Sequence, residues 1–521
     1  MVPSTKPLAC ACGFVRLWDA SALRAFRLLP RAGFALVVGA AAACTGDGAS
    51  SCASALHGQA PPRLTDDGNC CAPWSRPSDH GCAPRSWTVW PEARALGLQG
   101  VTPAVAVGPS GRIAIAWQES VGQQTAAVLA RETESGFELT SPSAATSGHH
   151  GELELAAAGD GALLVSWRRL VTMPEVRAQL VLPSGEAIVP DGAELISAPG
   201  TGHEHEAIGA ADGELLLVWN QGRDNGERRG VFVARRAPGS LSFERPAVPA
   251  GTLSALIKFS NEPAIARNTR GDALIAWYES VGEKLHTFVS ERWGLEGAFS
   301  RPGAEHPLSP AGGDVENPEP AVAEDGSAAV VWRQVRADGT MAAFLATRTV
   351  DGAWTKPSSL EDTFSTPADF AWNTRVAFTP GGDLFVVWED RRGEDAAVRL
   401  SHRAPRGSWV ATGRAPLRIS TEGRPAIAPV LAVSPEGGVV VVWRELVDGE
   451  WHVLARRGAP VSAGAEGDAE LEEAARWDAP TMLSQAGLGD ASGPRLAAGG
   501  ENSRVVAAWS QAGRIRLATV E

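Results

Sequence analysis

The phrase His203-Glu204-His205-Glu206 is the most metal-like stretch of the chain. Along an extended strand side chains alternate with period 2, so His203 and His205 share one face and the two glutamates share the other. Joined by His149 or His150 of the preceding repeat, the pair would offer nitrogen donors to a divalent cation. Exposed polar loop residues explain the same letters without a metal. Carboxylates are the second resource: Glu262, Glu316, Glu319 and Asp369 lie in three successive repeats. Two carboxylates about 5–10 Å apart across a pocket are the arrangement that cleaves a glycosidic bond. Nucleophilic catalysis finds less support. The only tyrosine, Tyr278, abuts Glu279, and strand neighbours face opposite sides. A nucleophile must lie within hydrogen-bond reach of its base, so no residue is assigned a catalytic role here.

These residues need a scaffold that turns them to one side, and eight tryptophans define it. Trp117, Trp167, Trp219, Trp277, Trp332, Trp388, Trp443 and Trp509 follow one another at steps of 50, 52, 58, 55, 56, 55 and 66 residues. A period in this range means one supersecondary unit copied many times. In the first copy, residues 103–107 form a strand, 108–111 a tight turn and 112–117 a second strand. A third strand spans 125–131 and a fourth lies around Phe137. Glycine supplies the turns at Asp160-Gly161, Asp212-Gly213 and Asp325-Gly326. The expected fold is all-β: an eight-bladed β-propeller of four-stranded antiparallel blades. The last copy ends at a third strand, 514–519, while 85–91 reads as an orphan fourth strand. Pairing 86–89 with 515–518 would close the ring within one blade and remove open edges. A large aromatic at one fixed repeat position is expected to pack between blades, burying about 150–250 Å² each.

In such a ring the ends of the second strands and the interblade loops share one face. That face collects His149, His203, His205, Glu206, Glu262, Glu316, Glu319, Asp369, Arg375, Glu389, Arg391 and Arg444, the candidate binding residues. Arginines and glutamates after the tryptophans either contact a ligand or pair across blades. No cofactor is expected beyond a divalent metal at His203 and His205.

Formal net charge is −13, and no basic stripe stands out, which argues against nucleic acid. Residues 1–44 read as a signal peptide: Arg16, Arg24, Arg27 and Arg31 precede an apolar run, 32–43, that ends at Cys44. The run is too short to span a membrane. Small residues leading into Cys44 resemble a bacterial lipobox, with Cys44 lipidated. Plain secretion after Ala43 is the alternative, and the long charged leader is consistent with a true start downstream of Met1. Residues 45–84 read as a flexible tether, and 85–521 as the propeller. Cys52, Cys70, Cys71 and Cys82 make an even count in an exported chain and fit two disulfides. A four-cysteine zinc site is the alternative. An acidic stretch, 459–473, reads as a solvated loop.

The repeats resemble bacterial sialidase-like propellers over about residues 87–521, through Val386-Val-Trp-Glu-Asp-Arg-Arg392 and the Gly-x-Trp phrases at Gly352 and Gly407. The Asp-box of that family, Ser-x-Asp-x-Gly-x-x-Trp, is degraded here to Thr349-Val-Asp-Gly-Ala-Trp354 and Ala404-Pro-Arg-Gly-Ser-Trp409. The resemblance implies a glycan-related role, but three substrate-binding arginines and a Tyr–Glu pair are not recognisable. The expected protein is therefore an exported, envelope-anchored monomer, at the outer membrane or cell surface. It is expected to be a binding or scaffold propeller for a glycan or protein partner. A sialidase-like glycoside hydrolase or a lyase is the alternative.

Overall fold

The computed structural model describes residues 75–78, 81–84, 86–89 and, with short interruptions, 101–520. All regular structure in these residues is β, in eight successive antiparallel meanders, hereafter units 1 to 8. Unit 1 is Val101–Val107, Ile113–Val121, Gln124–Thr133 and Gly136–Thr140, close to the expected pieces. Units 5 and 6 share one eight-stranded sheet through a single parallel bridge, Met341 to Phe370.

The second strand of each unit carries the tryptophan at its centre and is buried on both faces, as sheets stacked on two sides require. In unit 1, Ile113, Ile115 and Trp117 pack on Val506, Ala508, Ile515 and Leu517 of unit 8. Ala114 and Ala116 face Leu153, Leu155 and Trp167 of unit 2. In unit 1 the large side chains thus point to unit 8 and the small ones to unit 2. All eight tryptophans are at most 1% exposed, so they are packing residues, as expected.

The first strand of each unit packs on the first strand of the next, and that of unit 8 packs on that of unit 1. The strand Thr88–Val89 completes unit 8, with Thr88 opposite Thr519 and Val89 opposite Ala518. At the same junction Arg504 donates to Gly111 O at 3.1 Å, and the turns approach so closely that a Cβ on Gly500 would lie 2.4 Å from Gly111 Cα.

One expectation needs correction. Among the described residues units 3 and 4 show three strands, not four; an isolated bridge, Arg235 to Glu244, stands where the fourth strand of unit 3 was expected. In units 2 to 7 a recurring Ser, one residue past an apolar anchor, also ties the outer chain to the third strand. Ser197, Ser254, Ser309, Ser365, Ser420 and Ser484 each accept a third-strand N–H at 3.0–3.2 Å. Ser75–Ser78 pairs with Gly81–Pro84 as a hairpin, Pro77 opposite Cys82. Cys44, the other cysteines' side chains, Gly407–Trp409 and the 459–473 insertion lie outside the described residues.

Candidate functional site

The inner strands build the site by one repeated irregularity. Each first strand slips register against its second strand at the tryptophan, so two residues oppose one. This is a β-bulge, which re-aims side chains and often lies beside functional sites. Five bulge residues are non-glycine with positive φ: Glu152, Glu262, Asn317, Asn373 and Ala428, at 42° to 53°. Left-handed backbone at non-glycine residues costs free energy and persists only where the surroundings impose it.

The bulges sort the first-strand residues into layers. The waist layer lies opposite the residue before each tryptophan: Ala104, Glu154, Glu206, Ala264, Glu319, Arg375, Val430 and Arg495 in units 1 to 8. Above it sit the bulge residues, with Glu152, Glu204, Glu262, Asn317 and Asn373 consecutive in units 2 to 6. The residue after each tryptophan forms the rim, including Arg168, Asn220, Tyr278, Arg333, Glu389 and Arg444. Units 7, 8 and 1 contribute mainly small or apolar residues to the two lower layers, such as Ala428, Gly493 and Ala104. The polar machinery is a sector, not a full ring.

Within that sector Asn261 is the hub. Its Nδ2 donates to the Tyr278 hydroxyl at 3.0 Å and to Glu204 Oε1 at 3.3 Å. Glu204 Oε2 accepts the Glu262 N–H at 2.8 Å, and Glu262 Oε2 accepts the Asn317 N–H at 2.6 Å. Each carboxylate therefore satisfies the bulge amide of the next unit. Burial pushes the Glu262 carboxyl up to about 7; the Asn317 N–H opposes this, while Glu204 and Glu316 add to it. Burial, then the Glu262 charge, pushes the Tyr278 phenol up to about 12, so it stays protonated. The carboxylates whose charge acts on Tyr278 are Glu262 of its own unit and Glu204 and Glu316 of the adjoining units, not Glu279, whose Oε2 accepts from Trp277 Nε1.

The waist is also crowded. Burial pushes Glu154 up to about 7, with Glu152 and Glu319 adding and Arg495 and Arg375 opposing. Glu206 is raised well above the ordinary range by burial, then by Glu319 and Glu154, although its Oε2 accepts the Ile265 N–H at 2.7 Å. Burial raises Glu319 too, despite the Arg375 Nη1 contact at 2.7 Å.

The remaining candidates fall into place around this sector. Glu316 pairs with Arg333 Nη2 at 2.8 Å, and Arg333 stacks 4.2 Å over the Trp372 ring. Glu389 is fully buried, pairs with Arg391 and accepts from Asn373 Nδ2 at 2.8 Å and the Ala428 N–H at 2.9 Å. Arg391 lies 5.3 Å over Trp372. Arg444 donates to Ala491 O at 2.8 Å and lies 5.0 Å over Trp451. Pairing across units thus accounts for much of this set. Asp369 and the side chains of His149 and His203 lie outside the described residues.

One expectation fails here. Glu206, Glu262, Glu316, Glu319 and Arg375 lie within first strands, not interblade loops, because the strands extend to the rim. His205 is buried at 6% exposure between units, its ring near the Ser166 backbone but outside hydrogen-bond geometry. Burial pulls it down to about 4. The bulge between Gly202 and His205 breaks the simple alternation assumed for the His-x-His pair. Among the described residues, no three His, Cys, Asp or Glu side chains converge as metal ligands.

Sequence reasoning also missed why Glu or Gln recurs two residues after the tryptophan. Gln221, Glu279, Gln334 and Glu445 accept the indole N–H of Trp219, Trp277, Trp332 and Trp443 at 2.9–3.1 Å. The period-2 alternation that puts both residues on one face was the available signal.

No family model matches the sequence, and no curated protein matches it. Solved structures do share its shape in part. The polysaccharide lyase Uly1 is 9% identical, with a TM-score of 0.46 over 84% of this chain and 98% of the lyase. The Hadza microbial sialidase Hz136 is 14% identical, with a TM-score of 0.34 over 67% and 73%. An α-L-arabinanase of Penicillium chrysogenum is 11% identical, with a TM-score of 0.34 over 69% and 92%. Identities of this size say nothing about activity.

Proposed function

We propose that the eight units close into an eight-bladed β-propeller whose channel mouth acts on a glycan, as a hydrolase or lyase. Glu262 is the proton-transfer carboxyl, with the Tyr278 phenol beside it as a hydrogen-bond donor. The observation that carries this is Glu262 itself: a carboxyl raised to about 7 on a strained bulge, flanked by Glu204 and Glu316. Carboxyls whose surroundings push their pKa values apart are the pattern of acid–base pairs on one fold. The exported, lipid-anchored envelope location, through Cys44, belongs to the same proposal, as do a monomeric state and two disulfides.

The test is turnover of a panel of chromogenic glycosides and polysaccharides, read as reducing ends or as absorbance of an unsaturated product. Glu262→Gln is expected to lower kcat by about 10²–10⁴-fold. If Glu262 acts as the acid, its active form is lost as pH rises through about 7, so the rate should fall over that window. A variant as active as the wild type would remove Glu262 from the chemistry. The second reading is a non-catalytic binding scaffold. It is favoured by the use of Glu204, Glu262 and Glu389 as acceptors for backbone amides of the next unit. Binding without turnover across the panel would select it.

A further inference from the structure

The two lower layers of the channel hold more acid than base. Glu152, Glu154, Glu204, Glu206, Glu262 and Glu319 stand against Arg375 and Arg495. Glu319 is matched by Arg375, and Glu152 by Arg168 of the rim at 3.2 Å. Glu154, Glu204, Glu206 and Glu262, on adjoining units 2 to 4, have no ion-pair partner among the described residues. A second observation points to a ligand at the same mouth. Arg333 is 5% exposed; its Nη2 serves Glu316 and Asn317 and its guanidinium lies over Trp372, but its Nε and Nη1 are buried with no acceptor. An unsatisfied buried donor costs free energy that a ligand oxygen would recover.

We propose, resting on the glycan reading above, that the mouth selects a cationic amino sugar. Its ammonium group settles among the four unmatched carboxyls of units 2 to 4, and its hydroxyl oxygens accept from Arg333. Small residues on the opposite wall, Ala428 and Gly493, leave room across the channel. A uronate-bearing or sulfated glycan would meet the acid sector with like charge and is disfavoured.

The protonation of the site follows from the same crowding. Glu154 and Glu262 are pushed up to about 7 by burial first and by neighbouring carboxylates second. Arg168, Arg333, Arg375 and Arg495 are the cations facing them. An added ammonium favours the ionised carboxyls and lowers their pKa values. Binding near pH 6, where these two carboxyls are mostly protonated, therefore releases protons.

The experiment is calorimetry of the full chain at about pH 6 with three tetrasaccharides: β-1,4-linked glucosamine, its N-acetylated counterpart and galacturonate. Each is run in two buffers of different ionisation heat. The glucosamine tetramer is expected to bind at least tenfold tighter than the acetylated one, with net proton release, and galacturonate to give no heat. Glu154→Gln keeps the side-chain shape and removes an unmatched acid whose charge burial already disfavours, so it should fold at least as well as wild type. It should lose most of the tenfold preference and much of the proton release. Equal or tighter binding of galacturonate or the acetylated tetramer overturns the cationic preference and leaves the glycan reading standing. So does absent proton release. No binding of any of the three defeats both.

Discussion

Replacing Glu214 with alanine is expected to destabilise the fold by about 3–5 kcal/mol, the usual consequence of stranding buried charges. Glu214 is fully buried at the turn end of unit 3 and collects three arginines from two units. Its Oε1 accepts from Arg235 Nε at 2.5 Å and Arg292 Nη1 at 2.9 Å. Its Oε2 accepts from Arg267 Nε at 2.9 Å and Arg292 Nη2 at 2.7 Å. Arg267 and Arg292 side chains are only 2% exposed, so removing the carboxylate leaves Arg292 buried with only the Gly271 carbonyl and Arg267 with Asp212 and the Asn268 carbonyl. Burial alone would raise the Glu214 pKa, but the hydrogen bonds and charges of Arg292, Arg235 and Arg267 hold it below its ordinary 4.5. A depressed carboxyl stabilises the native state above its unfolded pKa, and that contribution fades as pH falls through the folded value. The gap between wild type and Glu214→Gln in urea midpoint should therefore be widest above about pH 5 and shrink at lower pH. A pH-independent gap, or a loss under 1 kcal/mol for alanine, would contradict this account of the junction.

Trp332→Ala is the second large effect, about 3–5 kcal/mol through cavity formation. The indole is fully buried, stacks on Phe344 at a centroid distance of 6.1 Å, and donates to Gln334 Oε1 at 3.1 Å. It belongs to a cluster that joins Leu274, Ala276 and Tyr278 of unit 4 to Val330 and Phe344 of unit 5. The substitution therefore empties the packing behind Tyr278 and strands the Gln334 amide oxygen. Trp332→Phe should cost clearly less, because the ring stack survives. Thermal unfolding of the two variants distinguishes cavity loss from a merely local polar effect.

The repeat made the architecture legible. Tryptophan spacing, strand alternation and the unmatched terminal strands led to the meanders and to the pairing of Thr88 and Val89 with Thr519 and Ala518. Much of the site was legible as a side of the molecule but not as contacts. Glu204, Asn261, Glu262 and Asn317 lie in three different units, and one-residue bulges decide which of them meet. A bulge is a backbone event with no fixed residue signature, here at Glu, Asn, Ala and Gly alike. The waist pairing of Glu319 with Arg375 crosses 56 residues, and that of Glu214 with Arg292 crosses 78. Alternation correctly ruled out Glu279 as the partner of Tyr278. It could not reveal that Asn261, from the adjacent strand, donates to the Tyr278 hydroxyl, with the Glu262 charge nearby.

Carboxyl titration is the most direct measurement. Carbon-13 spectra of the glutamate side chains, followed from about pH 4 to 9 in wild type and Glu262→Gln, should show a small set of carboxyls titrating near 7, one of which is missing in the variant. If every glutamate carboxyl in the folded chain titrates below about 5, no acid remains at neutral pH in the channel, and the proposed proton transfer at its mouth is wrong.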